Sequence, residues 1–321
     1  MWMKCTLSSV LAFFLLSPWG ASSVSAAYPE KPMTNLVWGA PGSATDILAR
    51  TLAAFSEKDF GQQIQILNKP GGNGIVSMTY LLGKPADGYT SILVTNSMIP
   101  VLLKGTQSFN LDSFDFVIRI VTDPLLLAVK KESPYKTLEE FVQAAKKNPG
   151  NMKVSGSLRG GVYEQTAFEL MQSAAIKLNY IPYQGGSEAV VAAMGGHVDA
   201  VICVFSPMLG LVKSGDLRLL ASSSTEPETD LKIPTFLEKK LNVTTAMWRG
   251  IAVKKGTPPE ILEKIHATFR KQILSPEWKE KYILKYDQRP GYLGPADFNK
   301  AMKNEEKSTK EFLKTLEKAK K

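Results

Sequence analysis

Two turns rich in Gly and Ser, each set between an extended run and a helical pattern, constrain this chain most. The first is Trp38-Gly39-Ala40-Pro41-Gly42-Ser43-Ala44-Thr45-Asp46, which follows the run Met33–Trp38 and precedes a helical pattern, Ile47–Phe55. The second is Ser155-Gly156-Ser157-Leu158-Arg159-Gly160-Gly161, which follows Lys153-Val154 and leads into a helix from Val162. Strand, small-residue turn and helix, in that order, aim free backbone N–H groups at one spot. The first four N–H groups of a helix lack intrahelical partners, and the helix dipole adds partial positive charge there. Such a turn suits an anion; alternatively, Thr45 or Asp46 simply caps its helix. Two such turns facing each other across a cleft would grip one anion between them.

The remainder of the chain repeats the strand–helix alternation. Strand signals fall at Gln63–Asn68, Tyr89–Thr95, Phe116–Val121, Leu125–Val129, Leu178–Pro182, Val198–Val204 and Leu217–Ala221, and Ala246–Val253 is extended. Helical patterns lie between and after them, among them Asn73–Leu82, Thr137–Lys147, Ser187–Met194, Pro234–Lys240, Glu260–Ile273, Pro276–Lys285 and Pro295–Lys320. This order predicts an α/β fold with parallel sheets covered by helices on both faces. Sheets of that kind bind ligands at the carboxyl ends of their strands, where both turns sit. With 321 residues the chain has room for about two domains.

The first residues read as a leader. Val10–Leu16 is an apolar core behind Lys4, and the small residues Val24-Ser25-Ala26-Ala27 follow. This is the pattern of a secretory signal peptide over residues 1–26, cut after Ala26 or Ala27. Its apolar run is too short for a membrane span. Cleavage would remove Cys5 and leave Cys203 as the only thiol, so no intramolecular disulfide is expected. It would also leave 38 basic and 30 acidic side chains. The excess is spread along the chain, with no basic stripe interleaved with aromatics. That argues against nucleic acid and for modest steering of small anions.

Catalytic and metal motifs are sparse. Neither His197 nor His266 has a ligand partner at i+4, and no metal or cofactor is expected. Gly83-Lys84 is followed by Pro85, which excludes a P-loop. Gly185-Gly186-Ser187-Glu188-Ala189 has the outline of a nucleophile elbow, but its last glycine is Ala189. Ser187 is thus either a helix cap or, with His266 or His197 as base, the nucleophile of a serine hydrolase. Further polar groups follow strands at Thr95-Asn96-Ser97, Tyr183-Gln184-Gly185-Gly186 and Phe205-Ser206. A solute cleft needs such a set: a few polar groups in a largely apolar wall.

Several motifs together resemble the periplasmic solute-binding proteins of tripartite tricarboxylate transporters, also called the Bug family. They are Tyr28-Pro29-Glu30-Lys31-Pro32, Pro41-Gly42-Ser43-Ala44-Thr45-Asp46, Asn68-Lys69-Pro70-Gly71-Gly72-Asn73-Gly74, Pro85-Ala86-Asp87-Gly88-Tyr89-Thr90, Ile181-Pro182-Tyr183-Gln184-Gly185-Gly186 and Trp248-Arg249-Gly250 through Pro258-Pro259. The resemblance implies a two-domain periplasmic binding protein fold, each domain a mixed sheet flanked by helices, with the ligand cleft between them. The implied domains are residues 27–124 with 250–321, and residues 125–249. The chain would cross between them near Val121–Leu127 and Met247–Val253.

The resemblance also implies a monomer that is not an enzyme. It would capture a small organic carboxylate, whether a dicarboxylate, a tricarboxylate or an aromatic acid, and deliver it to an inner-membrane permease. A ligand sensor with the same fold is the other reading. The implied binding residues are Gly42, Ser43, Ala44, Thr45 and Asp46 in one domain, with Thr95 and Asn96. In the other they are Ser157, Leu158, Arg159, Gly160 and Gly161, with Gly186, Phe205 and Ser206. Ser43 stands where the family usually has Gly, and Phe205 where many members have Asp. Arg159, with its planar fork, is expected to pair a second carboxylate of the ligand or else to sit solvated at the loop tip.

Overall fold

The structure is a computed structural model that describes residues 28–157, 159–228 and 230–318. The expected signal peptide and Leu158 lie outside the described residues. β1 (Met33–Val37), β2 (Ile64–Asn68) and β3 (Thr90–Thr95) are parallel, with β1 in the middle. α1 (Ala44–Phe60) joins β1 to β2, and α2 (Ile75–Leu82) joins β2 to β3. α1 turns Leu48, Leu52 and Phe60 onto the sheet, each fully buried side chain contributing about 2 kcal/mol. β3 leads into α3 (Met98–Leu103), where Pro100 sits in the first turn, a place that needs no N–H donor. β4 (Phe114–Pro124) then runs along the far side of the same sheet.

One residue, Leu125, separates β4 from β5 (Leu126–Lys130), the first strand of a second sheet. After α4 (Leu138–Lys147) the opening plan recurs. β6 (Lys153–Ser157), α5 (Val162–Ala174), β7 (Asn179–Tyr183), α6 (Gly186–Met194) and β8 (Ala200–Cys203) put three parallel strands in the order β7-β6-β8. α7 (Leu209–Lys213) and β9 (Leu217–Ser222) follow, and β5 lies antiparallel between β8 and β9. The segment Pro234–Lys240, expected as a helix, is a single closed turn. Thr235 and Glu238 cap each other's N–H groups, and Lys240 takes φ 59°, which stops propagation.

β10 (Ala246–Lys254) returns to the first sheet and inserts antiparallel between β3 and β4. α8 (Pro259–Ile273), α9 (Pro276–Trp278), β11 (Pro290–Leu293) and α10 (Pro295–Lys318) complete that side. Both sheets are therefore mixed rather than parallel throughout: β11-β4-β10-β3-β1-β2 and β7-β6-β8-β5-β9. The second crossing lies upstream of Met247–Val253, because all of that stretch already pairs within the first sheet.

Each sheet has its own apolar core. One is drawn from residues between Leu125 and Val243, the others from both chain segments of the first sheet. α10 bridges the two sides, with buried Phe312 against Phe168 of α5 at 5.3 Å between ring centroids. A buried ion pair, Arg249 to Asp123 at 2.7 Å, ties β10 to β4 beside the crossings. Arg289 reaches from the first-sheet side to buried Glu228 on the other at 2.8 Å.

Candidate functional site

β1 and β6 occupy equivalent places, each flanked on both sides by the next two strands in sequence. Their carboxyl ends are switch points, where successive connections leave in opposite directions and open a crevice. The two Gly/Ser turns sit at these ends. In the first, the N-cap of α1 is Ser43, neither Thr45 nor Asp46; its Oγ accepts the Asp46 N–H at 3.3 Å. Gly42 takes φ 80°, a left-handed conformation that favours glycine, and donates its N–H to Asp46 Oδ2 at 2.9 Å. Arg50 Nε donates to the same oxygen at 2.9 Å, and Asn68 Nδ2 to Oδ1 at 2.8 Å. Burial alone would raise the Asp46 pKa, but Arg50, the Gly42 N–H and Asn68 together hold it below the usual carboxylate range. The Thr45 and Ser43 hydroxyls pair at 3.0 Å beneath the turn, which leaves Ala44 exposed at its tip.

The second turn copies the device. Gly160, at φ 78°, donates its N–H to Glu164 Oε2 at 2.6 Å. Glu164 stands four residues on, as Asp46 does from Gly42, and it too is partnered by arginine. Arg159 Nη1 donates to Glu164 Oε1 at 2.7 Å, and Nη2 to the Tyr180 carbonyl at 3.2 Å. The Glu164 side chain is only 3% exposed, whereas that of Arg159 is 52% exposed. Burial, and then the Glu164 charge, raise the Tyr180 pKa; the protonated hydroxyl donates to the Ser157 carbonyl. Glu164 escaped the reading of the sequence, although the matching Gly-x-x-x-Asp and Gly-x-x-x-Glu spacings at two helix starts were there to find it.

A cavity of about 110 Å³ opens between the two sides. Trp38 at the end of β1, Asn73 in the turn before α2, Ser97 after β3, Val101 of α3 and Lys104 at the end of α3 border it on one side. Met247 of β10 and Leu313 of α10 join that side, and Ser157, Arg159, Gly160, Gly161 and Val162 border it on the other. Four of the expected binding residues thus meet here: Ser157, Arg159, Gly160 and Gly161. Ala44 and Ser206 border a different cavity, of about 250 Å³, with Tyr282 and Tyr286. Phe205 and Ser206 line a narrow crevice with Asp123 and Arg289.

The remaining expected residues, Gly42, Ser43, Thr45, Asp46, Thr95, Asn96 and Gly186, border none of these three cavities. Thr95 is buried, and its Oγ1 accepts the Ser97 N–H at 3.2 Å. Asn96 is buried and donates to the Ala246 carbonyl at 2.7 Å, which ties the end of β3 to β10. Gly186 has a packing reason, since a Cβ there would lie 2.7 Å from Cys203 Sγ. Burial pushes the Cys203 thiol up to about 12, so it is protonated at neutral pH.

The structure does not bring the hydrolase candidates together. Ser187 is exposed at the start of α6, and His197 lies beyond the end of that helix. His266 belongs to α8 on the first-sheet side, where Nε2 pairs with the Tyr292 hydroxyl at 3.0 Å. Among the described residues, no group of three His, Cys, Asp or Glu could hold a metal ion, and no helix is long and apolar enough to cross a membrane.

Comparison with known proteins gives one consistent result. Residues 48–317 match the model of the tripartite tricarboxylate transporter family receptor. Protein BugT of Bordetella pertussis is 30% identical over 266 residues, which span 80% of this chain and 81% of that protein. A TctC solute-binding protein from Polaromonas, solved without ligand, superposes with a TM-score of 0.82 at 26% identity and covers 90% of this chain and 99% of its own. An R. palustris protein solved with adipate superposes with a TM-score of 0.74 at 25% identity, covering 90% of this chain and 98% of its own. The chain belongs to the tripartite tricarboxylate transporter receptor family, a family of solute-binding receptors.

Proposed function

We propose that this receptor captures a small organic carboxylate between its two lobes after export to the periplasm and delivers it to an inner-membrane permease. The observation that carries this reading is the cavity bordered from both sides by loops at equivalent switch points, with the amino end of α5 at its wall. The α5 first turn and the Ser97 and Ser157 hydroxyls supply donors for one carboxylate; Trp38, Val101 and Leu313 supply apolar wall. Adipate in one structural neighbour and malate in another support the ligand class. The lobes would be residues 27–124 with 246–321, and residues 125–245, the second boundary set by the entry of β10 into the first sheet at Ala246, and closure around the solute would be a hinge motion at the two crossings.

A thermal-shift panel tests this. A ligand that binds only the folded chain stabilises it by about 2.7 kcal/mol at a hundredfold excess over Kd. The expected result is a raised melting temperature with at least one of benzoate, nicotinate, hexanoate, adipate, malate and citrate, with the compound recovered unchanged. Flat melting curves with the whole panel would remove the carboxylate reading, and turnover of the compound would replace it with an enzyme.

A further inference from the structure

The charge inside the cavity narrows the ligand further, on the reading that a carboxylate binds there. Arg159 borders the cavity from the second turn, half-exposed, but its fork is already engaged by Glu164 and the Tyr180 carbonyl. Its guanidinium also lies 5.9 Å from the centre of the Tyr180 ring. Glu164 is buried, so an Arg159 that swung away to a ligand would leave a buried carboxylate with the Gly160 N–H as its remaining neighbour at that turn. Taking the partner from a buried carboxylate is unfavourable even where that partner is itself half-exposed. The pair therefore presents the cavity with close to zero net charge. Lys104 is the other cation on the border, and it is exposed at the rim, where water screens it. Between these ends the wall is largely apolar, with Trp38, Val101, Val162, Met247 and Leu313 drawn from five separate places in the chain and the uncharged Asn73 and Ser97 as its polar groups.

We infer that the site selects a monocarboxylate with an apolar aryl or alkyl body over a dicarboxylate of the same length. One charged end meets the donors at the α5 amino end, and a second charge would be buried without a partner. Glu164 is thus a specificity-determining residue that acts by neutralising Arg159.

The test is calorimetric titration of matched pairs that differ only by the second carboxylate: hexanoate against adipate, benzoate against terephthalate. The wild type is expected to bind the monocarboxylate at least about tenfold more tightly, since an unpaired buried charge costs more than the 1.4 kcal/mol that tenfold represents. Glu164→Gln releases the Arg159 charge and is expected to shift the ratio toward the dicarboxylate, whereas Glu164→Gln in an Arg159→Gln background leaves the ratio at the wild-type value. Near-ultraviolet circular dichroism identifies any variant that fails to fold, and the wild-type ratio decides the matter without it. A wild-type preference for the dicarboxylate, whether or not Lys104→Ala abolishes it, overturns the inference and leaves the carboxylate reading standing. Absence of binding by both members of every pair overturns the carboxylate reading, and the inference with it.

Discussion

Asp46 and Glu164 act on the backbone before they act on any solute. Each draws in the N–H of a left-handed glycine four residues earlier and so fixes the path of a turn. For Asp46 this has a pH signature. Its pKa is lowered in the folded chain, so its contribution is present above the unfolded carboxylate value, near 3.9, and is lost as pH falls through the lower folded value. Asp46→Asn is expected to lower stability by about 2 kcal/mol at pH 7, the usual worth of hydrogen bonds to a charged group. The loss should shrink in acid. Urea midpoints between pH 2 and pH 7 measure it, and parallel profiles for the two proteins would show that the carboxylate does not hold the turn. At this scale the sequence was partly legible. Gly42 and Gly160 stood out as turn residues, but their N–H groups looked free for a ligand. The acid four residues on, visible in the sequence as a repeated spacing, takes each of them in the folded chain.

Among the elements, α10 carries the least expected role. Its periodicity was readable from Pro295 onward, yet nothing local says that Leu313 reaches the cavity or that Phe312 packs on α5. Those contacts depend on where β10 enters the first sheet, and strand order is a long-range property. β11 and α3 were missed for related reasons: β11 is short and edge-bound, and Pro100 masks the helical signal of α3. α10 also carries Glu305, which accepts the Trp248 indole N–H at 2.6 Å. Burial pushes the Glu305 pKa up to about 7, opposed by Trp248, Asn96 and Arg119 and reinforced by Glu169 of α5. A carboxyl whose folded pKa is raised stabilises fully below its unfolded value, 4.5, and loses that contribution as pH rises through about 7. Wild-type stability is therefore expected to fall relative to Glu305→Gln between pH 4.5 and pH 7.5, about half a unit past the folded value. A constant difference across that window would place the Glu305 carboxyl in ordinary solvent.

On the scale of the whole molecule, two copies of one β-α-β-α-β plan face each other, and their switch points share a cavity. The alternation was legible because hydrophobic period and glycine punctuation are local signals. The pairing of the copies was not, and neither were the walls supplied by Trp38, Met247 and Leu313. The first turn also divides its duties, with Trp38 at the inter-lobe cavity and Ala44 at another cavity beside Ser206. That division sets two cavities against each other as the place of the ligand. The most direct measurement is a crystal structure with the carboxylate that most raises the melting temperature. Its carboxylate is expected within hydrogen-bond reach of Ser157 and the first N–H groups of α5, with its body against Trp38 and Leu313. A ligand seated between Ala44, Ser206 and Tyr286, or held by one lobe alone, would contradict it.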